Sequence, residues 1–160
     1  MIMNDDLGEG VRRMLADADQ HGLAVELRRR PAAGSLEEAA ELLGIHPSEM
    51  VKTIVVRRSS GSYLFALIPG GTQIAWPKLR SLLGVSKMKL PDAAEALGAT
   101  GYERGTITPI GSERSWPVIV DRRLAGRRAA LGAGGHGYSA FVDIDDLVRA
   151  YDAKVADIAS

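Results

Sequence analysis

The chain has 160 residues, 46% hydrophobic and 25% charged, with 20 basic against 20 acidic side chains and no net formal charge. That length predicts a single domain over residues 1–160 with a proper core, and the balanced charge excludes a global field that would coat nucleic acid. Cysteine is absent, which excludes disulfides, thiol nucleophiles and thiolate zinc sites.

No apolar run approaches the roughly 20 residues of a membrane helix. The acidic amino terminus, Met1 to Asp6, lacks a signal-peptide pattern. The expectation is a cytoplasmic protein with no membrane partner. Basic residues do cluster locally, at Arg28–Arg30, Arg57–Arg58, Arg122–Arg123 and Arg127–Arg128. Most such clusters are solvated loop ends, but several on one face would hold a short RNA stem.

In chain order, Leu7 to Gln20 has the three-four apolar spacing of a helix that ends before Gly22, and Ala24 to Arg28 alternates like a half-buried strand. Ser35 and Glu38 form a capping box for a helix through Leu43, which Gly44 closes. Met50 to Val56 is a β-branched strand, Arg57 to Ser62 a polar hairpin connection, and Tyr63 to Ile68 the returning strand. A short strand at Thr72 to Ala75 precedes a helix that starts at Pro77 and runs to Leu83.

Asp92 caps a short helix that Gly98 closes. Strands are expected at Pro117–Val120, Ala129–Leu131 and Ser139–Val142, and Asp145 caps a last helix through Tyr151. Strands and helices intermix without a regular βαβ rhythm. The fold class is therefore α+β, a mixed and largely antiparallel sheet with helices packed on it.

Within the strand at 50–56, Lys52 shares a face with Met50, Ile54 and Val56, so its ammonium needs water, a counter-charge or a ligand. Alone, such a lysine reads as an edge-strand gatekeeper. Its company changes that reading. Gly101 to Gly111 is a glycine-rich loop whose amides could face an anion or a carbonyl. A cation beside such a loop binds phosphate-bearing substrates without a metal.

Other motifs resolve to structural readings. Gly132-Ala133-Gly134-Gly135-His136-Gly137 has the dinucleotide-fingerprint spacing, but a strand follows where a helix is required, so it reads as a turn joining two strands. His21, His46 and His136 are scattered without metal spacing, and helix capping and solvation explain Asp143 to Asp146. Neither a nucleophile elbow nor a P-loop occurs. No metal or other cofactor is expected. Trp76 and Trp116 each precede a proline and read as packing residues.

The order of these pieces resembles the YbaK/ProX-type aminoacyl-tRNA deacylases, relatives of the editing insertion of bacterial prolyl-tRNA synthetase. The resemblance rests on Val51-Lys52-Thr53-Ile54-Val55-Val56, Leu67-Ile68-Pro69-Gly70, Thr100-Gly101-Tyr102 with Gly105, Pro109 and Gly111, Pro117 to Asp121, Ala133-Gly134 and the closing 153–158 segment. It implies a barrel-like sheet and hydrolysis of the ester joining a wrong amino acid to tRNA, with tRNA(Pro) carrying Cys, Ala or another small residue as the expected substrate. The partner is the 3′ acceptor end of aminoacyl-tRNA, with prolyl-tRNA synthetase a second candidate. The oligomeric state is left open.

On this resemblance the catalytic residues are Lys52, which holds the substrate, with Gly105 and Pro109, whose loop presents amides to the scissile carbonyl. Water attack is assisted by the 2′-hydroxyl of the tRNA. Thr53, Gly101, Thr106, Thr108, Gly111, Gly134 and His136 are the expected substrate-binding set, His136 as the selector. The chain departs from the family pattern where Thr106 replaces a usual second glycine and Thr108 a usual serine. Thr106 cannot take positive φ cheaply, so a different loop path is expected. The alternative expectation is a tRNA- or synthetase-binding module that keeps the fold without the activity.

Overall fold

The computed structural model describes residues 7–59 and 61–160. The acidic amino-terminal residues, and Ser60 in the hairpin connection, lie outside the described residues. The elements run α1 (Glu9–Gln20), β1 (Glu26–Arg29), α2 (Leu36–Leu43), β2 (Val51–Ser59), β3 (Ser62–Pro69), α3 (Trp76–Leu83), α4 (Ala93–Thr100), β4 (Val118–Asp121), β5 (Arg128–Gly132), β6 (Tyr138–Asp143), α5 (Ile144–Ala150) and β7 (Lys154–Ala156).

The strands form two sheets, in the orders β1-β6-β5 and β2-β3-β4-β7. The first is antiparallel throughout; in the second β2 and β3 are antiparallel, while β4 and β7 join in parallel. A single bridge between Met50 and Ala130 links them, so the barrel is not closed. The mixed α+β architecture follows the sequence reading.

Several boundaries differ, each for a local reason. Ser35 Oγ does accept from Glu38 N–H (3.1 Å), but the Glu38 carboxylate takes the Gly34 N–H instead of completing a box. A full capping box sits instead after α2, where Glu49 accepts from His46 N–H and His46 Nδ1 accepts from Ser48 N–H. Helix α4 runs through Gly98 to Thr100, because Ala99 and Thr100 are buried and Gly101 supplies the left-handed cap at φ 78°. Asp143 caps α5, while Asp145 accepts from Gly126 N–H (2.9 Å) in a neighbouring turn.

The hairpin strands extend to Ser59 and Ser62, further than the expected polar connection allowed, and 72–75 contributes only a bridge between Ile74 and Ala159. Trp116 packs on the core with its indole N–H on Ala99 O (2.8 Å). Trp76 packs against the smaller core under α3.

Both faces of the β2/β3 hairpin are covered. Val51, Val55, Phe65 and Leu67 point into the main core with Val118, Val120 and the inner face of α1 (Val11, Met14, Ala18). Val56, Leu64, Ala66 and Ile68 face Leu79 of α3, Ile119 and Ile158. Burying both faces explains the near-continuous apolar run of β3.

The carboxy-terminal segment is tied down by Asp121. Its buried carboxylate accepts from Ile158, Ala159 and Arg123 N–H groups at 3.0–3.1 Å. Burial alone would push this carboxyl up, but the backbone bonds and the Arg123 guanidinium outweigh it and hold it below its ordinary value.

Candidate active site

Lys52 stands where the two sheets meet, one residue from the Val51 end of β2. On its own face, Ile54 and Val56 are buried or half-buried. The Lys52 stem is half-buried too, and Nζ donates to the Thr72 carbonyl (2.7 Å) in the turn after β3. An ammonium has three donors. Among the described residues Thr72 O is its protein acceptor, which leaves two donors for a ligand.

Lys52 borders a depression of about 380 Å³ between the start of α2, the sheet junction and the loop at 104–107. Its floor is apolar, with Leu36, Ala39, Met50 and Leu131, and its polar rim carries Arg30, Lys52, Thr53, Arg104 and Ser139. Arg30 is fixed by Nε donation to Ser139 Oγ (3.0 Å). None of the lining residues is a carboxylate or an imidazole. The depression is therefore electropositive and suits an anionic ligand with an apolar appendage.

Two features mark it further. Thr53 Oγ1 is buried and has no hydrogen-bond partner among the described residues, a costly state unless something else satisfies it. Gly105, on the rim, is exposed and holds φ 89°, a conformation that only glycine adopts at low cost.

The loop between α4 and β4 is set by its buried residues. Thr106 donates its hydroxyl and N–H to Glu103 O (2.8 and 3.0 Å), and its own carbonyl accepts from Gly134 N–H (2.9 Å). Thr106 does not take positive φ; Gly105 does. Thr106 therefore puts no positive-φ strain on the loop. Thr108 is fully buried and its Oγ1 accepts from Ile110 N–H (3.2 Å); Pro109 is buried beside it.

Seven of the ten expected site residues divide between two depressions, while Thr108, Pro109 and Gly111 are buried and line neither. Lys52, Thr53 and Gly105 border the first. Gly101, Thr106, Gly134 and His136 border a second, of about 430 Å³, on the other side of the loop, together with Arg13 and Glu103. His136 is exposed there, its Nε2 3.1 Å from Glu103 Oε2, yet its ring also comes near Gly105: a Cβ placed on Gly105 would meet His136 Cε1 at 3.9 Å.

Gly111 and Gly134 sit at close backbone approaches. A Cβ would lie 2.6 Å from Tyr102 Oη at Gly111, and 2.7 Å from Gly10 O at Gly134. Sequence reasoning did not single out Arg30 or Arg104. Arg30 ends a basic triplet that reads as a solvated loop end, and nothing local shows that it turns toward the sheet junction.

Two more depressions continue along β2. One borders Thr53, Ile54 and Val55 with Arg104 and the start of α4. The next gathers five cations, Arg57, Arg58, Arg80, Lys87 and Lys89, with Arg57 and Lys89 paired through their backbones. At ~3.3 Å per residue, Arg58 lies about 20 Å along β2 from Lys52. Only the Arg57–Arg58 doublet of this cluster was visible as a cluster in the sequence.

Comparison with known proteins decides the family. The sequence profile of the "Aminoacyl-tRNA editing domain" matches residues 30–150. The chain belongs to the aminoacyl-tRNA editing domain family.

Its curated relatives include the proline–tRNA ligase of Trichlorobacter lovleyi, 30% identical over 118 residues, a match covering 74% of this chain and 20% of the ligase. That of Bacillus licheniformis is 29% identical over 145 residues, covering 89% and 25%. The chain thus spans a quarter or less of the length of these ligases.

The Enterococcus faecalis protein named "Putative Cys-tRNA(Pro)/Cys-tRNA(Cys) deacylase EbsC" is 32% identical over 101 residues, 63% of this chain and 62% of that one. Among solved structures, that of "a putative trans-editing enzyme for prolyl tRNA synthetase" superposes with a TM-score of 0.88 over 97% of this chain and 99% of the other. At 22% identity it is evidence of the shared fold.

Proposed function

We propose that this editing domain, as one unit over residues 1–160, is a trans-acting deacylase that hydrolyses the ester of a mischarged tRNA, tRNA(Pro) carrying Cys, Ala or another small amino acid. The observation that carries this reading is the depression at the sheet junction. Three cations, an unpartnered Thr53 hydroxyl and the Gly105 rim converge there without a carboxylate or imidazole. The family match and the enterococcal relative's name point the same way.

Lys52 holds the terminal ribose–phosphate region or the aminoacyl group. Thr106 N–H is taken by Glu103 O and Pro109 has no N–H. The amides of Gly105, Ile107 and Thr108 are therefore the ones assigned to the developing oxyanion, the arrangement that lowers the barrier most in acyl transfer. With no protein base in the lining, the 2′-hydroxyl of the terminal ribose assists the attacking water. The protein then supplies positioning and electrostatics. An aminoacyl ester is already activated, so this is enough.

The deciding experiment follows release of labelled amino acid from tRNA(Pro) charged separately with Cys, Ala, Ser and Thr. Release of one label names the substrate. A folded protein that releases none, yet shifts uncharged tRNA on a gel, is a binding module instead.

The cationic end of β2 takes backbone phosphates of the acceptor strand, while the ester lies about 20 Å away at Lys52. Charge reversal at Arg58 and Lys87 together is expected to weaken binding of uncharged tRNA and to flatten its logarithmic salt dependence by about 2, one for each lost phosphate contact. Hydrolysis of an aminoacyl-adenosine, too short to reach that end, should be unaffected. An unchanged salt slope for tRNA would remove this surface from the interface.

A further inference from the structure

Helix α1 lies outside the matched span of 30–150, and so does Tyr151. Both nevertheless grip the loop on which the proposed chemistry depends. Arg13 and Asp17 are four residues apart, and so share one face of α1.

The Arg13 side chain reaches both ends of the loop. Nη2 donates to Gly101 O (3.0 Å) at its start and Nε to Gly111 O (2.7 Å) at its end, while the guanidinium lies 4.5 Å from the centre of the Tyr102 ring. Asp17 Oδ2 accepts from Gly111 N–H (2.8 Å) and from the Tyr151 hydroxyl (2.6 Å). Tyr102, fully buried, closes the same end by donating to Ile110 O (2.7 Å).

The donors keep their protons. Burial, and after it the Asp17 carboxylate, pushes the Tyr151 hydroxyl up, and burial holds that of Tyr102 up at about 12. A third hold comes from Gly10, whose backbone runs so close to Gly134 that a Cβ would lie 2.1 Å from Gly134 O; Gly134 N–H in turn donates to Thr106 O.

We infer that Arg13 and Asp17 are positioning residues for hydrolysis: a clamp on the two ends of the 101–111 loop that sets where the amides between Gly105 and Pro109 stand. The inference rests on the deacylase reading above. Its physical basis is the guanidinium fork, which holds two carbonyls at a fixed separation as an ammonium cannot. Loop displacement on the ångström scale is costly in rate, whereas a partly buried surface helix contact is normally worth little.

Arg13→Ala and Asp17→Ala are expected to lower kcat by about 10- to 100-fold with KM little changed, in protein that still melts cooperatively. Arg13→Lys should not restore the rate, because it loses the fork. Asp17→Asn should restore most of it, because the amide oxygen can still accept from Gly111 and Tyr151. The double alanine variant should lose no more than the worse single one, since both act through the same loop.

A full native kcat in folded Arg13→Ala, or losses that multiply in the double variant, would overturn the clamp. Should the native protein itself release no amino acid, the deacylase reading fails. The clamp is then judged by hydrogen exchange at the 105–110 amides. Faster exchange in Arg13→Ala than in the native chain sustains it, and equal exchange ends it.

Discussion

Lys52→Ala is expected to lower release of the amino acid by about 10²- to 10³-fold, the usual effect of removing one preorganised donor from an acyl-transfer site. The fold should survive. Among the described residues the ammonium makes one protein hydrogen bond, to Thr72 O, and the stem is half-buried. Losing both costs on the order of 1 to 3 kcal/mol, within what most domains tolerate.

The rival reading makes Lys52 a peg that holds the turn at Thr72. Lys52→Gln and Lys52→Arg separate the two. A peg needs only a donor of similar reach, so glutamine would keep both stability and rate. A substrate-holding cation needs the charge, so glutamine should be nearly as slow as alanine and arginine should recover part of the rate. Initial rates on the released label, normalised to the folded fraction from a thermal melt, decide it. Normal rates in Lys52→Ala, or rates lost only in step with folding, would return Lys52 to the gatekeeper class.

Lys52 was legible because a cation in a β-branched run is anomalous on local chemistry alone. The same holds for the cap at Gly44, where a left-handed glycine follows an apolar-periodic helix. What escaped was decided by distant partners. Gly98 reads locally as the helix end, but burial of Ala99 and Thr100 carries the helix on to its cap at Gly101. β7 has three residues, two of them exposed, and owes its existence to parallel pairing with β4.

Arg13 and Asp17 look like solvated charges on an amphipathic helix. Only the packing of α1 against the loop gives them their contacts. The division of the expected site into two depressions has the same origin. The path of the loop, with Thr106 turned to Gly134 and Gly105 to the rim, is fixed by α1 and the β5–β6 turn, and local sequence does not carry that information.

Gly105→Val is expected to cut kcat by about 10²-fold or more while leaving the melting temperature almost unchanged. The two effects part company because of where Gly105 sits. Space is not the obstacle: a Cβ there would meet nothing nearer than His136 Cε1 at 3.9 Å. The obstacle is φ 89°, where a β-branched residue costs more than the ~1–2 kcal/mol typical of left-handed backbone. An exposed loop residue does not have to accept that strain. The segment can rotate to a β or right-handed conformation, which spares the fold but moves the backbone at Gly105 that borders the Lys52 depression.

Gly111→Ala is the contrasting case. Its Cβ would lie 2.6 Å from Tyr102 Oη and 2.8 Å from Met14 Cα, so the damage falls on packing and should appear as a lowered melting temperature. Melts and single-turnover rates on both variants make the test. If Gly105→Val hydrolyses the ester at the native rate, the amides near residue 105 are not the oxyanion donors. The loop then serves only to wall the depression, and catalysis rests on Lys52 and the substrate's own hydroxyl.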